Sequence, residues 1–164
     1  GCCIFFKNFC ILIKKVGVIF MIEPDTVRLL RECNAGIKMG IRAIDGVTGN
    51  IKKDELKQLV QKSRAHHAKL EQQTEQLLHA YGDEGKQPHP MAESMAQLKT
   101  ELGMMMDHSD QKIADLLTTG CDMGVKSLSR YLNEYAAADE QSKDIAKQLI
   151  RIESGLTKDL RDYL

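Results

Sequence analysis

Tryptophan is missing from this chain of 164 residues, proline occurs three times, and aromatic residues make up only 5%. Every Phe (Phe5, Phe6, Phe9 and Phe20) lies before Met21, so Tyr81, Tyr131, Tyr135 and Tyr163 are the only aromatic side chains beyond it. After Met21 there is also no strand-like alternation and no β-branched run, which excludes a sheet and points to an all-α fold. The formal charge is zero, from 23 basic and 23 acidic residues, so nothing favours nucleic acid or an acidic partner. No Gly-rich phosphate loop, Ser-His-Asp set or pair of catalytic carboxylates occurs. Three of the five cysteines (Cys2, Cys3 and Cys10) also precede Met21. The remaining two, Cys33 and Cys121, sit at apolar positions of helical patterns and read as core thiols of a cytoplasmic protein rather than as a disulfide.

Residues 1–20 differ chemically from the rest. They carry Lys7, Lys14 and Lys15 and no acid, which leaves the remainder slightly acidic, with 20 basic residues against 23. Those lysines hold the apolar runs to at most seven residues, whereas a membrane helix takes about 20. A secretory leader would end in small residues, and Val18-Ile19-Phe20 offers no such site. Residues 1–20 are therefore expected to be an extension outside the fold, with residues 21–164 forming one helical domain. Membrane association, through this segment or an acylated Cys, rests on residues 1–20 being native.

What is present is helical periodicity. Leu56, Val60, Ser63, His67, Leu70, Thr74, Leu77 and Tyr81 recur at alternating spacings of four and three, the seam of a long helix packed lengthwise on others. From about Lys52 to Tyr81, at ~1.5 Å per residue, it would span roughly 45 Å. An earlier helix is expected from Thr26 to Asp45, capped by Asp25, with Val27, Leu30, Asn34, Ile37, Ile41 and Ile44 on its stripe and a short turn at Gly46, Gly49 and Asn50 ending it. Gly36 and Gly40, four apart, suggest close approach of a neighbouring helix. Pro88 and Pro90 mark a loop, followed by a short amphipathic segment bearing Met91, Met95, Leu98 and Leu102, then Gly103 and Met104-Met105-Met106. Ser109 is a cap for a helix from Asp110 to Tyr135, whose stripe includes Ile113, Leu117, Gly120, Gly124, Leu128 and Tyr131. Asp139 caps a last helix to Tyr163, with Ile145, Leu149, Ile152, Leu156 and Tyr163 inward.

Two long helices, a connection carrying a short extra helix, and two more long helices fit a four-helix bundle with a crossover. The segments TVRLLRECNAGIKMGIRAID, KDELKQLVQKSRAHHAKLEQQ, SDQKIADLLTTGCDMGVKSLSRYL and DIAKQLIRIESGLTKDL resemble, in layout and helix texture, the ferritin-like superfamily. More narrowly, the chain from Asp25 to Leu164 resembles a bacterial family of ferritin-like proteins of unknown function. In di-iron members the resemblance implies a Glu from each of two helices and a Glu-x-x-His from each of the other two. Here Ser63 stands where the Glu before His66 belongs, and Arg64 where the Glu before His67 belongs. Glu153 is followed three residues later by Leu156, Asn34 is the mid-seam polar residue of the first helix, Glu32 falls off its stripe, and Asp122 is expected to point away. The di-iron set is incomplete, and a fold does not by itself carry an activity.

Ser63 and one of His66 and His67 are expected inside the bundle, because Val60 and Leu70 cannot both face inward without them. A buried imidazole needs a partner; Asn34 or Ser63 is expected, with Asn34 the better candidate. The leading expectation is a non-enzymatic bundle, with no metal, cofactor or catalytic residue assigned, acting through self-association as a homodimer or through a protein partner. The alternative is a metal-binding or oxidoreductase-type protein with an atypical site at His66 or His67 together with Asp122 or Glu32. His79, His89 and His108 show no ligand spacing among them.

Overall fold

The computed structural model describes residues 23–83 and 109–164. Residues 1–20 and the segment from Pro88 to His108, with its expected short helix, lie outside the described residues. Within them the fold is all-helical, with four long helices and no strand: α1 (Pro24–Thr48), α2 (Asp54–Ala80), α3 (Asp110–Glu134) and α4 (Glu140–Leu160), the last followed by a 3-10 turn at Arg161–Tyr163.

The helix ends follow local chemistry. Ser109 caps α3 by accepting the Lys112 amide at 3.3 Å, and Asp139 caps α4 by accepting the Ser142 amide at 2.8 Å. Gly82, at φ +72, takes the left-handed conformation that ends α2. At α1 the expectation needs correction. Its N-cap is Glu23, Pro24 opens the helix, and Asp25 lies inside the first turn, beside Arg28 at 3.4 Å. The helix also runs through Gly46 to Thr48, because Ala43, Ile44 and Val47 continue a buried face that outweighs the glycine's propensity cost.

Two polar junctions fix how the helices run. The backbone amides of Lys52 and Lys53, just before α2, donate to the Asp110 carboxylate at 2.8 and 2.9 Å. The starts of α2 and α3 therefore share one end. At the other end the Tyr81 hydroxyl donates to Asp139 at 3.1 Å, and the Asp139 amide donates to Thr26 Oγ1 at 2.8 Å. That end gathers the start of α1, the finish of α2 and the start of α4. Accordingly α2 and α3 are parallel, each antiparallel to its hairpin partner. Helix α1 packs on all three others, α4 closes the set against α2 and α3, and α2 and α3 stand diagonally apart.

The core lies in two halves. One gathers Leu29, Leu30, Ile37, Leu128, Ile145 and Leu149; the other gathers Ile44, Val47, Leu56, Val60, Ile113 and Leu160. On every helix the break between them falls at one level, which holds Gly40, Ser63, His67, Gly124 and Glu153.

Candidate functional site

The α2 seam carries Ser63 and His67 inward, at 6% and 1% exposure, and leaves His66 exposed on the outer face. Position 67 is a multiple of the helical repeat from Val60, Leu70 and Thr74, whereas position 66 is turned about 100° away. His67 Nδ1 donates to the Ser63 carbonyl at 2.8 Å. A carbonyl oxygen can only accept, so Nδ1 carries a proton and Nε2 is the ring's free position.

Nε2 faces Glu153 Oε1 of α4 at 4.0 Å, an ion-pair separation too long for a direct hydrogen bond. The hydrogen-bond partner of His67 is therefore Ser63, through its carbonyl, and not Asn34, while Glu153 is the charge that faces it. Asn34 instead donates from Nδ2 to Thr74 Oγ1 at 2.9 Å, two turns further along α2. Glu153 is 6% exposed, and its Oε2 is buried with no hydrogen-bond partner. Burial pushes its carboxyl above the usual range, opposed by the attraction of His67.

Two glycines make room for this pair. A Cβ on Gly40 would stand 2.9 Å from His67 Cδ2 and Nε2, and one on Gly124 would stand 2.8 Å from the Glu153 carboxylate carbon. One glycine of each pair, Gly40 and Gly124, thus admits a polar side chain, in place of the expected close backbone approach. Between the glycines a cavity of about 50 Å³ is bounded by His67, Glu153 and Cys121. Cys33 and Cys121 are free thiols, both pushed up to about 12, chiefly by burial. At neutral pH they are thiols and not thiolate ligands.

The other sequence candidates do not join this centre. Glu32 is buried at 4% exposure, contrary to its expected place off the stripe, because α1 packs on three neighbours and hides more than one face. It lies two turns from Gly40 beside the Tyr131 hydroxyl, and burial raises its carboxyl. Asp122 is exposed and accepts from Thr157 at 3.4 Å. His79 is exposed in the last turn of α2, and His89 and His108 lie outside the described residues. Among the described residues, no three His, Cys, Asp or Glu side chains converge as a metal site. The residues therefore do not fit a di-metal centre.

Glu153 was missed as an inward residue, and the signal lies in α4 itself. Ile145, Leu149, Glu153, Leu156 and Leu160 are buried, so the seam passes through Glu153 and leaves Ile152 half-buried. On the outer side of the same helix pair, α2 and α4 part to form an open groove of about 520 Å³. Leu59, Ile152 and Leu156 lie along it, Gly155 widens it, and Lys62, His66, Lys69 and Arg151 stand around it.

No described helix is long and apolar enough to cross a membrane. Comparison with protein-family models, curated proteins and solved structures finds no match.

Proposed function

We propose that this chain is a ferritin-like crossover bundle, akin to the bacterial ferritin-like proteins of unknown function. In this reading it acts by binding, as a homodimer or with a protein partner, rather than by metal-centred redox chemistry. The observation that carries this is the mid-bundle layer. One histidine and one carboxylate meet there, too few for a pair of irons, and the positions expected for further ligands hold Ser63, Arg64 and Leu156. The parallel course of α2 and α3 supports the crossover. The reading places the protein in the cytoplasm, where Cys33 and Cys121 stay reduced.

Elemental analysis of protein purified without added metal tests the interior, and light scattering across micromolar concentrations tests the dimer. Iron, manganese and zinc well below one per chain are expected. Near-stoichiometric metal that is lost in His67→Ala would overturn the proposal. A second reading, a single cation at the mid-bundle layer, is favoured by the unpartnered Glu153 Oε2 beside the 50 Å³ cavity. It narrows the His66/His67 alternative to His67 with Glu153, since His66 faces outward.

A further inference from the structure

The groove between α2 and α4 concentrates charge of one sign over an apolar floor. Some long basic side chains elsewhere on the bundle are paired: Lys38 with Glu75, Arg64 with Asp45 and Arg31 with Asp83. Among the described residues, Lys62, Lys69 and Arg151 have no carboxylate within ion-pair distance, although all three line this one groove. Asp159 is the single acid among the lining residues.

Register divides the groove into two ends. The His67–Glu153 contact sets α2 against an antiparallel α4, so Lys69, two residues on, stands level with Arg151, two residues back. His66 lies beside them. Lys62 and Asp159 come level at the opposite end, about two helical turns away. One end is thus cationic and the other balanced. Between them Ile152 is half-buried and a Cβ on Gly155 would meet nothing within 4 Å, while half-buried Leu59 lies about a turn beyond Lys62. Ser63, which also lines the groove, is 94% buried by its 6% exposure, and its hydroxyl has no hydrogen-bond partner. An unpaired buried hydroxyl is costly unless something meets it.

We propose that this groove binds a small amphiphilic anion. A carboxylate or phosphate head sits among Lys69, Arg151 and His66, and an apolar body lies along Leu59, Ile152 and the gap at Gly155. The volume falls in the roughly 300–1,000 Å³ range of small-ligand sites. A second copy of this chain is the poorer occupant: a two-fold contact on this face would set Lys62, Lys69 and Arg151 against their own equivalents. The proposal concerns the outer face of the bundle and needs neither a metal nor a dimer, so it can fail while the reading of the interior stands.

Calorimetric titration of the full chain with dodecanoate and with dodecyl phosphate, both below their micelle thresholds, tests it and tells the two head groups apart. Saturable binding near one per chain is expected, weakening with salt as charge-assisted contacts do. Arg151→Glu and Lys69→Glu should each weaken it about tenfold or more. Gly155→Leu, whose Cβ meets no atom within 4 Å, projects a side chain into the groove and should abolish binding while leaving the helical signal unchanged. Dodecyltrimethylammonium should bind at least about tenfold more weakly than either anion. The proposal is overturned by the absence of saturable binding, by binding indifferent to Arg151→Glu and Gly155→Leu in folded protein, or by inorganic phosphate competing as well as dodecyl phosphate.

Discussion

Glu153 occupies the space that a side chain at Gly124 would need. A Cβ on Gly124 would stand 2.8 Å from the Glu153 carboxylate carbon, nearer than ordinary packing allows, and the carboxylate has only the small adjoining cavity to move into. Gly120, one turn earlier on α3, would carry a Cβ with nothing within 4 Å. The same residue at the same spacing therefore has opposite meanings. Gly120→Ala should stabilise the fold by about 0.5–1 kcal/mol through helix propensity. Gly124→Ala should destabilise it by about 1–3 kcal/mol despite that gain. Urea denaturation of the two variants side by side decides the matter, and equal shifts would refute the assignment.

The raised carboxyl of Glu153 has a stability consequence with a definite sign. In the window between the ordinary 4.5 and its folded value, the folded protein keeps a proton that the unfolded chain has lost. Stability from this group is complete below that window and falls as pH rises through it. Glu153→Gln keeps the shape and removes the titration. It should flatten the decline above pH 4.5 and leave the fold at least as stable at neutral pH. Denaturation midpoints at several pH values provide the check, and an unchanged slope would count against a buried, proton-holding Glu153.

Thr74 is fully buried and accepts the Asn34 amide while donating to the α2 backbone at Leu70 or Glu71. Thr74→Val leaves the Asn34 amide without its acceptor and should cost about 1–3 kcal/mol. Asn34→Leu combined with Thr74→Val removes both partners and should recover most of that loss. A double-mutant cycle with no coupling would show that the bond contributes nothing.

Asp139 titrates with the opposite sign. Burial pushes its carboxyl up, but the hydroxyl and amide of Ser142 and the hydroxyl of Tyr81 outweigh this and hold it below the ordinary 3.8. Its contribution is present above 3.8 and is lost as pH falls through the folded value. Asp139→Ala should cost about 1–2 kcal/mol at neutral pH by uncapping α4. Asp139→Asn should cost much less there and should lose less stability than the natural chain on acidification to pH 3. Guanidinium melts at the two pH values separate these outcomes.

Much of this was legible before the structure, and the reasons are physical. The α2 seam was readable from Leu56 to Thr74 because each residue is one helical repeat from the next and buries on the same side. Only the last turn departs, where Leu78 is buried in place of Leu77. Ser109 and Asp139 were readable as caps because their side chains act on amides three residues away. Glu153 was not readable, because a charged residue beside an isoleucine is assigned outward on hydropathy, and only the packing of α4 shows otherwise. Glu32 was missed for a related reason: a single stripe describes a helix with one covered face, and α1 has more than one. The α2–α4 groove depends on how far apart two helices stand, which no spacing within either helix encodes.

The junction at Asp139 also bears on the order in which the chain assembles. The hairpins α1–α2 and α3–α4 each join neighbours in sequence, so their pairing closes short loops. The bond from the Asp139 amide to Thr26 Oγ1 spans 113 residues, and those from Lys52 and Lys53 to Asp110 span 58 and 57. These tie one hairpin to the other and form only when the halves meet. The protection of the Asp139 amide against hydrogen exchange is accordingly a clock for docking, set by the arrival of Thr26 from the far end of the chain.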